Sequence, residues 1–335
     1  MLTSSAVRRL SLPVLAVLLA GCAPSEGEQG ATITTPFALS AAMAPEMVAV
    51  SEGLFAKQGI SVRLNPGNGS AQALQQVATG QADLTTVGGS DLLSAVANEG
   101  APLLSVASKK QVLPYYLVSS ADAAITSPQQ LTGKSVGVLS VGGTTSQTLN
   151  LFLAAGGVDP KSVTQVVAPN SPATLDMVRR GQIAAYVSNL EVASVLRAEK
   201  TPATIVDLDQ TVRVPGAVWV VCTELTKSAP AKVSALLAGL AAAMEFLRTD
   251  GRDGTWTRTL ALFERDYPEV ARDRAGLIVQ LNAQYREWFG ESGAAADLKN
   301  SPERWQAAID FATRSGLIKG TVPAGTLYSN DYLAR

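Results

Sequence analysis

Short apolar runs alternate with amphipathic segments over residues 33–226, and each kind of segment predicts one type of element. The apolar runs predict nine strands, at Ile33–Leu39, Ile60–Leu64, Ala82–Val87, Leu103–Ala107, Ser135–Leu139, Val163–Val167, Ile183–Val187, Thr204–Val206 and Ala217–Val221. The amphipathic segments predict helices at Pro45–Gln58, Ala71–Thr79, Asp91–Asn98, Thr145–Ala155, Ala173–Arg180 and Glu191–Glu199. Crossovers of about a dozen residues between strands are typical of parallel sheets with helices on both faces.

The pattern changes after Thr226, where apolar residues recur at three- and four-residue spacing. In the first of these segments the apolar positions are Val233, Leu236, Leu237, Leu240, Met244 and Leu247. This spacing is typical of helices and predicts them at Ala229–Arg248, Thr255–Asp266, Glu269–Tyr285 and Pro302–Ser315. The sequence therefore predicts an α/β protein with a helical C-terminal part.

A helix-and-strand unit occurs twice in the α/β part. Its first copy has Ser70, Leu74, Val77, Gly80 and Gln81, and the second has Ser171, Leu175, Val178, Gly181 and Gln182, at a constant shift of 101 residues. In each copy a serine precedes a helix, a glycine ends it, and a strand follows directly. A generic helix–glycine–strand unit explains part of the match. The shared residues at fixed spacing nevertheless favour two homologous α/β lobes.

The N-terminus has the pattern of an export signal. Arg8 and Arg9 precede the apolar run Leu10–Ala20, which is too short to span a bilayer, since a span takes roughly 20 residues. A cleaved signal peptide over residues 1–21 fits better, and the small polar residues of 22–32 predict a flexible tether. The ending "LAGC" resembles the lipobox of bacterial lipoproteins, which implies that Cys22 is acylated and becomes the new N-terminus. The alternative is an ordinary signal peptide that contains a cysteine.

The composition removes several classes of chemistry. None of the 335 residues is histidine, which excludes Ser-His-Asp and Cys-His triads, histidine bases and His-containing metal sites. A formal net charge of −1 gives no electrostatic footprint for nucleic acid. With Cys22 acylated, Cys222 has no disulfide partner, and its apolar neighbours predict a buried thiol. Catalysis by Glu, Asp, Lys or Tyr stays open, but we expect no enzyme, no cofactor and no metal site.

The stretch from Gly137 to Thr145, "GVLSVGGTT", follows the spacing of a nucleotide-binding P-loop at every position but one. Gly143 stands where that motif has its lysine. Without the lysine the loop lacks the point charge that binds phosphates. The stretch still has the other parts of the motif, namely a strand, a glycine-rich turn and a helix that opens at Thr144 and Thr145. They predict a cradle of backbone amides and hydroxyls.

Three segments carry a resemblance to a known family. They are "SEGLFAKQGISVRL" (Ser51–Leu64), "ALQQVATGQADLTTVGGSDLLSAVANEGAPL" (Ala73–Leu103) and "LTGKSVGVLSVGGTTSQTLNLFLAAGGVDPKSVTQV" (Leu131–Val166). In this order and spacing they resemble substrate-binding proteins of bacterial ABC importers, of the nitrate/sulfonate/taurine and thiamine-precursor type. The resemblance covers residues 33–226. It implies a two-lobe periplasmic-binding-protein type II fold, each lobe a mainly parallel sheet flanked by helices, with the solute in a cleft that closes by hinge motion.

The resemblance also implies where the chain passes between the lobes. Two strand-like segments are expected to cross, near Tyr115–Ser120 and Arg213–Val221. Lobe I then comprises residues 33–117 and 214–335, and lobe II comprises residues 118–213.

Five loops are expected to face the solute, because ligands of parallel α/β sheets bind beyond the carboxyl ends of strands, at helix N-termini. The resemblance implies the same loops. From them, and from the predicted hinge, the candidate ligand-binding residues are Ser40, Met43, Glu46, Asn68, Gly69, Ser70, Gly89, Ser90, Asp91, Tyr116, Ser140, Gly143, Thr144, Thr145, Asn189 and Glu191. Residues of these types also cap helices when no ligand is near. Tyr115, Tyr186 and Trp219 are further aromatic candidates that core packing explains equally well.

The charge of the five loops bears on the solute. Glu46, Asp91 and Glu191 are acidic, and none of the loops contains Lys or Arg. This favours a neutral, amine-bearing or heteroaromatic solute over a simple oxyanion. The alternative is that the acids only favour helix N-termini.

These features together predict an exported solute-binding lipoprotein of an ABC importer. Its expected partners are a small-molecule solute, an ABC permease and a membrane to which the lipid anchor attaches the protein. The expected location is the cell membrane or the periplasm. We expect a monomer that does not bind nucleic acid. One alternative is a surface lipoprotein that senses a ligand and signals to a membrane partner. Another is an enzyme like the thiamine-pyrimidine synthase that this family resembles, which uses its own histidine and is disfavoured because the chain has none.

Overall fold

The computed structural model describes residues 29–113, 115–212, 214–290, 292–314, 316–320 and 322–334. The predicted signal peptide, Cys22 and residues 22–28 of the predicted tether lie outside the described residues. The first strand begins at Gln29, so residues 29–32, assigned to the tether, are part of a strand. They belong there because their backbone pairs in register with Ile60–Arg63 of the neighbouring strand.

The strands and helices follow the alternation that the apolar pattern predicts. The strands are β1 Gln29–Thr35, β2 Ile60–Pro66, β3 Leu84–Gly88, β4 Leu103–Ser108, β5 Tyr115–Ser120, β6 Ser135–Val138, β7 Thr164–Val167, β8 Ala185–Asn189, β9 Ala203–Asp207 and β10 Ala217–Cys222. The helices are α1 Ala44–Ser51, α2 Ser70–Ala78, α3 Gly89–Glu99, α4 Thr144–Ala155, α5 Leu175–Arg179, α6 Leu190–Ala198, α7 Thr223–Ser228, α8 Pro230–Asp250, α9 Thr257–Asp266, α10 Pro268–Ala271, α11 Arg274–Phe289 and α12 Pro302–Arg314.

Two five-stranded sheets share one layout. The first has the order β2-β1-β3-β10-β4 and the second has the order β7-β6-β8-β5-β9. Pairing is parallel except at β10 and β5, which run antiparallel to both of their neighbours. Strands β3 and β8 keep the shift of 101 residues read from the sequence repeat. The predicted two-lobe α/β fold with a helical C-terminal part is confirmed, and we call the parts built on the two sheets the first and second lobes.

The crossing points differ from the expected ones. Strand β5 pairs along its length with β8 and β9, so residues 115–117, assigned to lobe I, lie in the second sheet. The chain passes between the lobes after β4 and again after β9 instead. The two crossings lie side by side, since a Cβ on Gly216 would overlap the carbonyl oxygens of Val112 and Lys110.

The long helix α8 is a core helix of the first lobe. It is long and apolar enough to cross a membrane by length and composition. Its side chains Leu236, Leu240 and Met244 are buried in one cluster with Met47 and Phe55. Gly239 is needed there because a Cβ at this position would overlap the Phe55 ring. Helix α8 therefore completes the first lobe's core, and its apolar face has partners within the chain.

Both lobes contribute to a second apolar cluster. It joins Leu92 and Leu93 of α3 to Leu149 and Phe152 of α4. Helix α11 makes a further bridge, since it packs along α6 of the second lobe although it follows the first lobe's α8 in the chain. The lobes are thus in direct contact through α3 and α4 and through α6 and α11.

Candidate functional site

A cavity of about 880 Å³ lies between the lobes. Its walls come from the carboxyl ends of β1, β3, β4, β6 and β8, from β5, and from α6 and α11. Apolar side chains form much of the wall, among them Phe37, Leu39, Leu139, Val195 and Val279. This volume lies within the roughly 300–1,000 Å³ that is typical of pockets for organic ligands, and it is far larger than an inorganic oxyanion needs.

Polar and charged side chains are placed among the apolar ones. They are Ser40, Thr86, Lys109, Lys110, Tyr115, Thr144, Asn170, Ser171, Asn189, Glu191, Glu199, Asp273, Gln280 and Gln284. Five of the residues predicted from sequence are among the lining residues, namely Ser40, Met43, Thr144, Asn189 and Glu191. As ligand contacts these five stay predictions.

The other predicted residues lie outside the cavity wall. They are Glu46, Asn68, Gly69, Ser70, Gly89, Ser90, Asp91, Tyr116, Ser140, Gly143 and Thr145. Several of them form the contact between the lobes. Ser70 Oγ lies 2.8 Å from Thr144 Oγ1, which in turn donates to Asp91 Oδ2. The glycine-rich loop of the second lobe therefore meets the loops of the first lobe directly and does not face them across open space.

Glycines allow this close approach. A Cβ on Gly88 would overlap Thr144 Cγ2, and one on Gly69 would lie 3.4 Å from Ser140 Oγ. Gly69 also has φ +127, which disfavours any side chain. Thr145 acts within its own lobe, where its hydroxyl accepts from the Leu139 N–H at 2.9 Å and fixes the turn before α4.

Asp91 is buried at this contact, with 4% of its surface exposed. Burial raises the pKa of Asp91 from 3.8 to about 7, against the opposing effect of the Thr144 and Ser70 hydroxyls and the Gly88 backbone. Its Oδ1 atom has no hydrogen-bond partner among the described residues. The carboxyl group thus links two lobes and changes its charge near neutral pH.

Lys109 was missed by the sequence reasoning and lies at the floor of the cavity. Its Nζ is 2.8 Å and 2.9 Å from the two carboxylate oxygens of Glu46. Glu46 Oε1 also accepts from Trp219 Nε1 at 2.8 Å. All three side chains are buried, and burial lowers the pKa of Lys109 although Glu46 opposes this. Glu46 therefore holds a lysine in place beneath the cavity wall.

Lys110, like Lys109, is paired with a buried glutamate and lies near a tryptophan ring. Its Nζ lies 3.0 Å from Glu287 Oε2 and 6.0 Å from the centre of the Trp288 ring. The observation that the five loops lack Lys and Arg is correct, but the site has two lysines from the first crossing segment. Lys109 and Lys110 directly follow β4, so the rule that ligands bind beyond the carboxyl ends of strands applies to them as well.

Glu191 occupies the first turn of α6, where Asn189 caps the helix by accepting from the Val192 N–H at 3.2 Å. Glu191 Oε2 accepts from the Asn189 amide, and Oε1 has no partner among the described residues. Burial raises the pKa of Glu191, and Lys110, the Ala42 backbone and Lys109 oppose the rise. The cavity thus has one buried carboxylate in its wall that is not paired with a lysine.

Only one of the two neighbouring tyrosines of β5 lines the cavity, because side chains alternate between the faces of a strand. Tyr115 lines the cavity, whereas Tyr116, the predicted contact, is 8% exposed and packs with Leu190 and Ala193 under the Arg197 guanidinium. Successive side chains of a strand point to opposite faces, so only one of the pair can reach the cleft. Trp219 and Tyr186 are buried core residues.

Within the described residues no cluster of three or more His, Cys, Asp or Glu side chains has the arrangement of a metal site.

The sequence matches one family model, described as NMT1/THI5 like, over residues 40–251. A comparison with curated proteins gave no match.

Solved structures match nearly the whole chain. The alkanesulfonate-binding protein SsuA of Xanthomonas axonopodis pv. citri, bound to MOPS, is 17% identical, with 91% of this chain and 100% of that chain covered and a TM-score of 0.67. The periplasmic nitrate-binding protein NrtA of Synechocystis PCC 6803 is 14% identical, with 91% and 87% covered and a TM-score of 0.62. The desulfurization enzyme DSZB is 14% identical, with 91% and 97% covered and a TM-score of 0.56. At these identities the likeness concerns the fold.

Proposed function

Because the chain belongs to the NMT1/THI5-like family, we propose that it is an extracytoplasmic solute-binding protein of an ABC importer. It captures a small polar organic solute between its lobes and delivers it to the permease. The observation that carries this proposal is the cavity of about 880 Å³ lined by both lobes. A solute that contacts both lobes stabilises their closed arrangement, and a permease can distinguish this arrangement from the open one.

Binding is favoured over catalysis by two observations. The Xanthomonas and Synechocystis proteins that share the fold are named as binding proteins, although DSZB shows that the same fold also carries an enzyme. The sequence contains no histidine, so chemistry that consumes or uses a histidine of the protein is absent.

The solute is neutral, amine-bearing or heteroaromatic in this proposal, in preference to a simple oxyanion. The two lysines of the site do not oppose this preference, because Lys109 is paired with Glu46 and Lys110 with Glu287. The volume and the apolar walls also favour an organic body.

The proposal places the protein on a membrane through acylated Cys22. Replacement Cys22→Ser tests this part separately. The wild-type protein is expected in the membrane fraction and labelled by palmitate, and the variant unlabelled and outside that fraction. Equal fractionation of the two would leave an ordinary signal peptide as the explanation of the N-terminus.

The binding function is tested by native mass spectrometry of protein purified without refolding, followed by release of whatever is bound. We expect a retained organic solute that rebinds, in calorimetry, with one site per chain and is recovered chemically unchanged. A solute that is converted on incubation would replace the binding function by an enzymatic one.

A further inference from the structure

We propose that the solute carries a cationic nitrogen, an ammonium or amidinium group, and that Glu191 together with Gln284 recognises it. This inference rests on the proposed binding function and names the class of solute. Neither the family match nor the related structures give Gln284 a role.

The charges of the cavity do not balance. Its lining contains two lysines, and each is matched by a carboxylate, Lys109 by Glu46 and Lys110 by Glu287. Three further acids line the cavity, and within the described residues no Lys or Arg forms an ion pair with them. They are Glu191 in the wall, and the exposed Glu199 and Asp273. The lysines and acids of the site therefore number two and five, which favours a cation over an anion. A bound cation also favours the charged form of Glu191 against the effect of burial on its pKa.

Two buried hydrogen-bond acceptors of the cavity also lack a donor among the described residues. Glu191 Oε1 and Gln284 Oε1 belong to side chains that are 5% and 1% exposed, and neither atom has a partner among the described residues. Their helices, α6 and α11, pack against each other. A buried acceptor without a donor is costly, so a ligand that brings N–H groups gains from filling both.

A protonated nitrogen fits this pair better than a neutral group does. An ammonium has three N–H donors and no acceptor, and it forms a charge-assisted hydrogen bond to a carboxylate. Thr86 Oγ1 is a third buried lining atom without a partner in the described part of the chain. It can serve a second polar group of the solute. The apolar wall near Phe37, Val195 and Val279 accommodates a hydrocarbon body.

The inference is tested with primary amines of about three to ten carbons, either unbranched or phenyl-substituted. Each amine is compared with the alcohol and the carboxylate of the same carbon skeleton. Thermal-shift screening selects the amine that stabilises most, and calorimetry then measures Kd for that amine and for its two counterparts. We expect the amine to bind at least about tenfold more tightly than the alcohol, and the carboxylate to bind most weakly.

Two matched variants separate recognition from general damage. Glu191→Gln keeps the size of the side chain and removes its charge, and it should abolish the preference for the amine over the alcohol. Glu99→Gln removes an exposed acid at the end of α3, and it should leave both affinities within about twofold of wild type. Unfolding curves of both variants show whether the fold is kept.

The outcomes distinguish this inference from the proposed function. Tighter binding of the alcohol or carboxylate, or an unchanged amine preference in Glu191→Gln, overturns the cationic solute and leaves a binding protein. Stabilisation by none of the amines overturns it as well. A protein that retains no solute in native mass spectrometry and binds no compound of any charge counts against both.

Discussion

Ser70 Oγ and Thr144 Oγ1 lie 2.8 Å apart, although 74 residues separate them in sequence and they belong to different lobes. Thr144 gives its one hydroxyl proton to Asp91, so Ser70 is the donor to Thr144 when Asp91 is ionised. This buried chain of three polar groups joins α2 and α3 of the first lobe to the start of α4. It is a direct polar link between the lobes at the cleft, and its loss should favour their separation.

Thr144→Val removes both hydrogen bonds and keeps the shape of the side chain. We expect the free energy of unfolding to fall by about 1–3 kcal/mol, because a buried carboxyl group loses its donor. Urea unfolding measures the change. Thr148→Val is the matched control on the same helix. Thr148 is also fully buried, but its hydroxyl has no partner among the described residues, so its loss should be neutral or stabilising. Equal losses in the two variants would contradict the role of the polar link.

Asp91→Asn tests the pH dependence of the folded, closed form. The pKa of Asp91 is raised from 3.8 to about 7, so the folded state holds a proton that the unfolded state releases. The stabilising contribution of this group is full below pH 3.8 and is lost as the pH rises to about 7. The difference in free energy of unfolding between wild type and variant should fall over this window and be constant above it. Glu191, Glu287 and Lys109 titrate in both proteins, so their contributions cancel when the two unfolding free energies are subtracted. A flat difference would mean that Asp91 is not buried in solution.

Gly88→Ala introduces a methyl group between the lobes. The backbone of Gly88, with φ −68 and ψ 146, accepts alanine without strain, so the only conflict is with Thr144 Cγ2. We expect the lobes to stay further apart, a larger radius of gyration in X-ray scattering, and solute affinity lowered at least about tenfold. Gly325→Ala places a methyl group in open space and should change neither quantity. A variant at Gly88 that binds and scatters like wild type would show that closure does not need this contact.

Lys109 and Glu46 are expected to depend on each other. Lys109→Met or Glu46→Gln alone leaves one buried group without its opposite charge, which costs about 3–5 kcal/mol of unfolding free energy. The double variant should lose clearly less than the sum of the two single losses. Chemical unfolding of all four proteins gives the coupling. Additive losses would indicate that solvent reaches the pair in solution.

The element pattern could be predicted because local sequence decides it. The strand at Leu103–Ala107 and the helix at Thr145–Ala155 are within one residue of the observed β4 and α4. The repeat with its shift of 101 residues predicted the shared layout of the sheets. The crossings were misplaced because Tyr115–Ser120 has the same apolar pattern in either sheet, and only its pairing with β8 and β9 assigns it.

The candidate site could be predicted only in part. Glu191 and Thr144 were found because each opens a helix after a strand. Gln284 and Glu287 reach the site through the packing of α11 on α6, a tertiary contact with no local signal. Ser70 has the appearance of a helix cap in sequence, but its side chain bonds to Thr144 and does not cap α2. Local patterns locate polar groups at strand ends, but they do not show which groups meet one another.

The place of β10 between β3 and β4 has a consequence for the order in which the chain folds. The second sheet uses only residues 115–207, an uninterrupted stretch, and needs nothing made later. The first sheet cannot be completed before Ala217–Cys222 has been synthesised, because β3 and β4 have no direct pairing without it. During synthesis from the N-terminus, the part of the chain made first is therefore the part that finishes folding last.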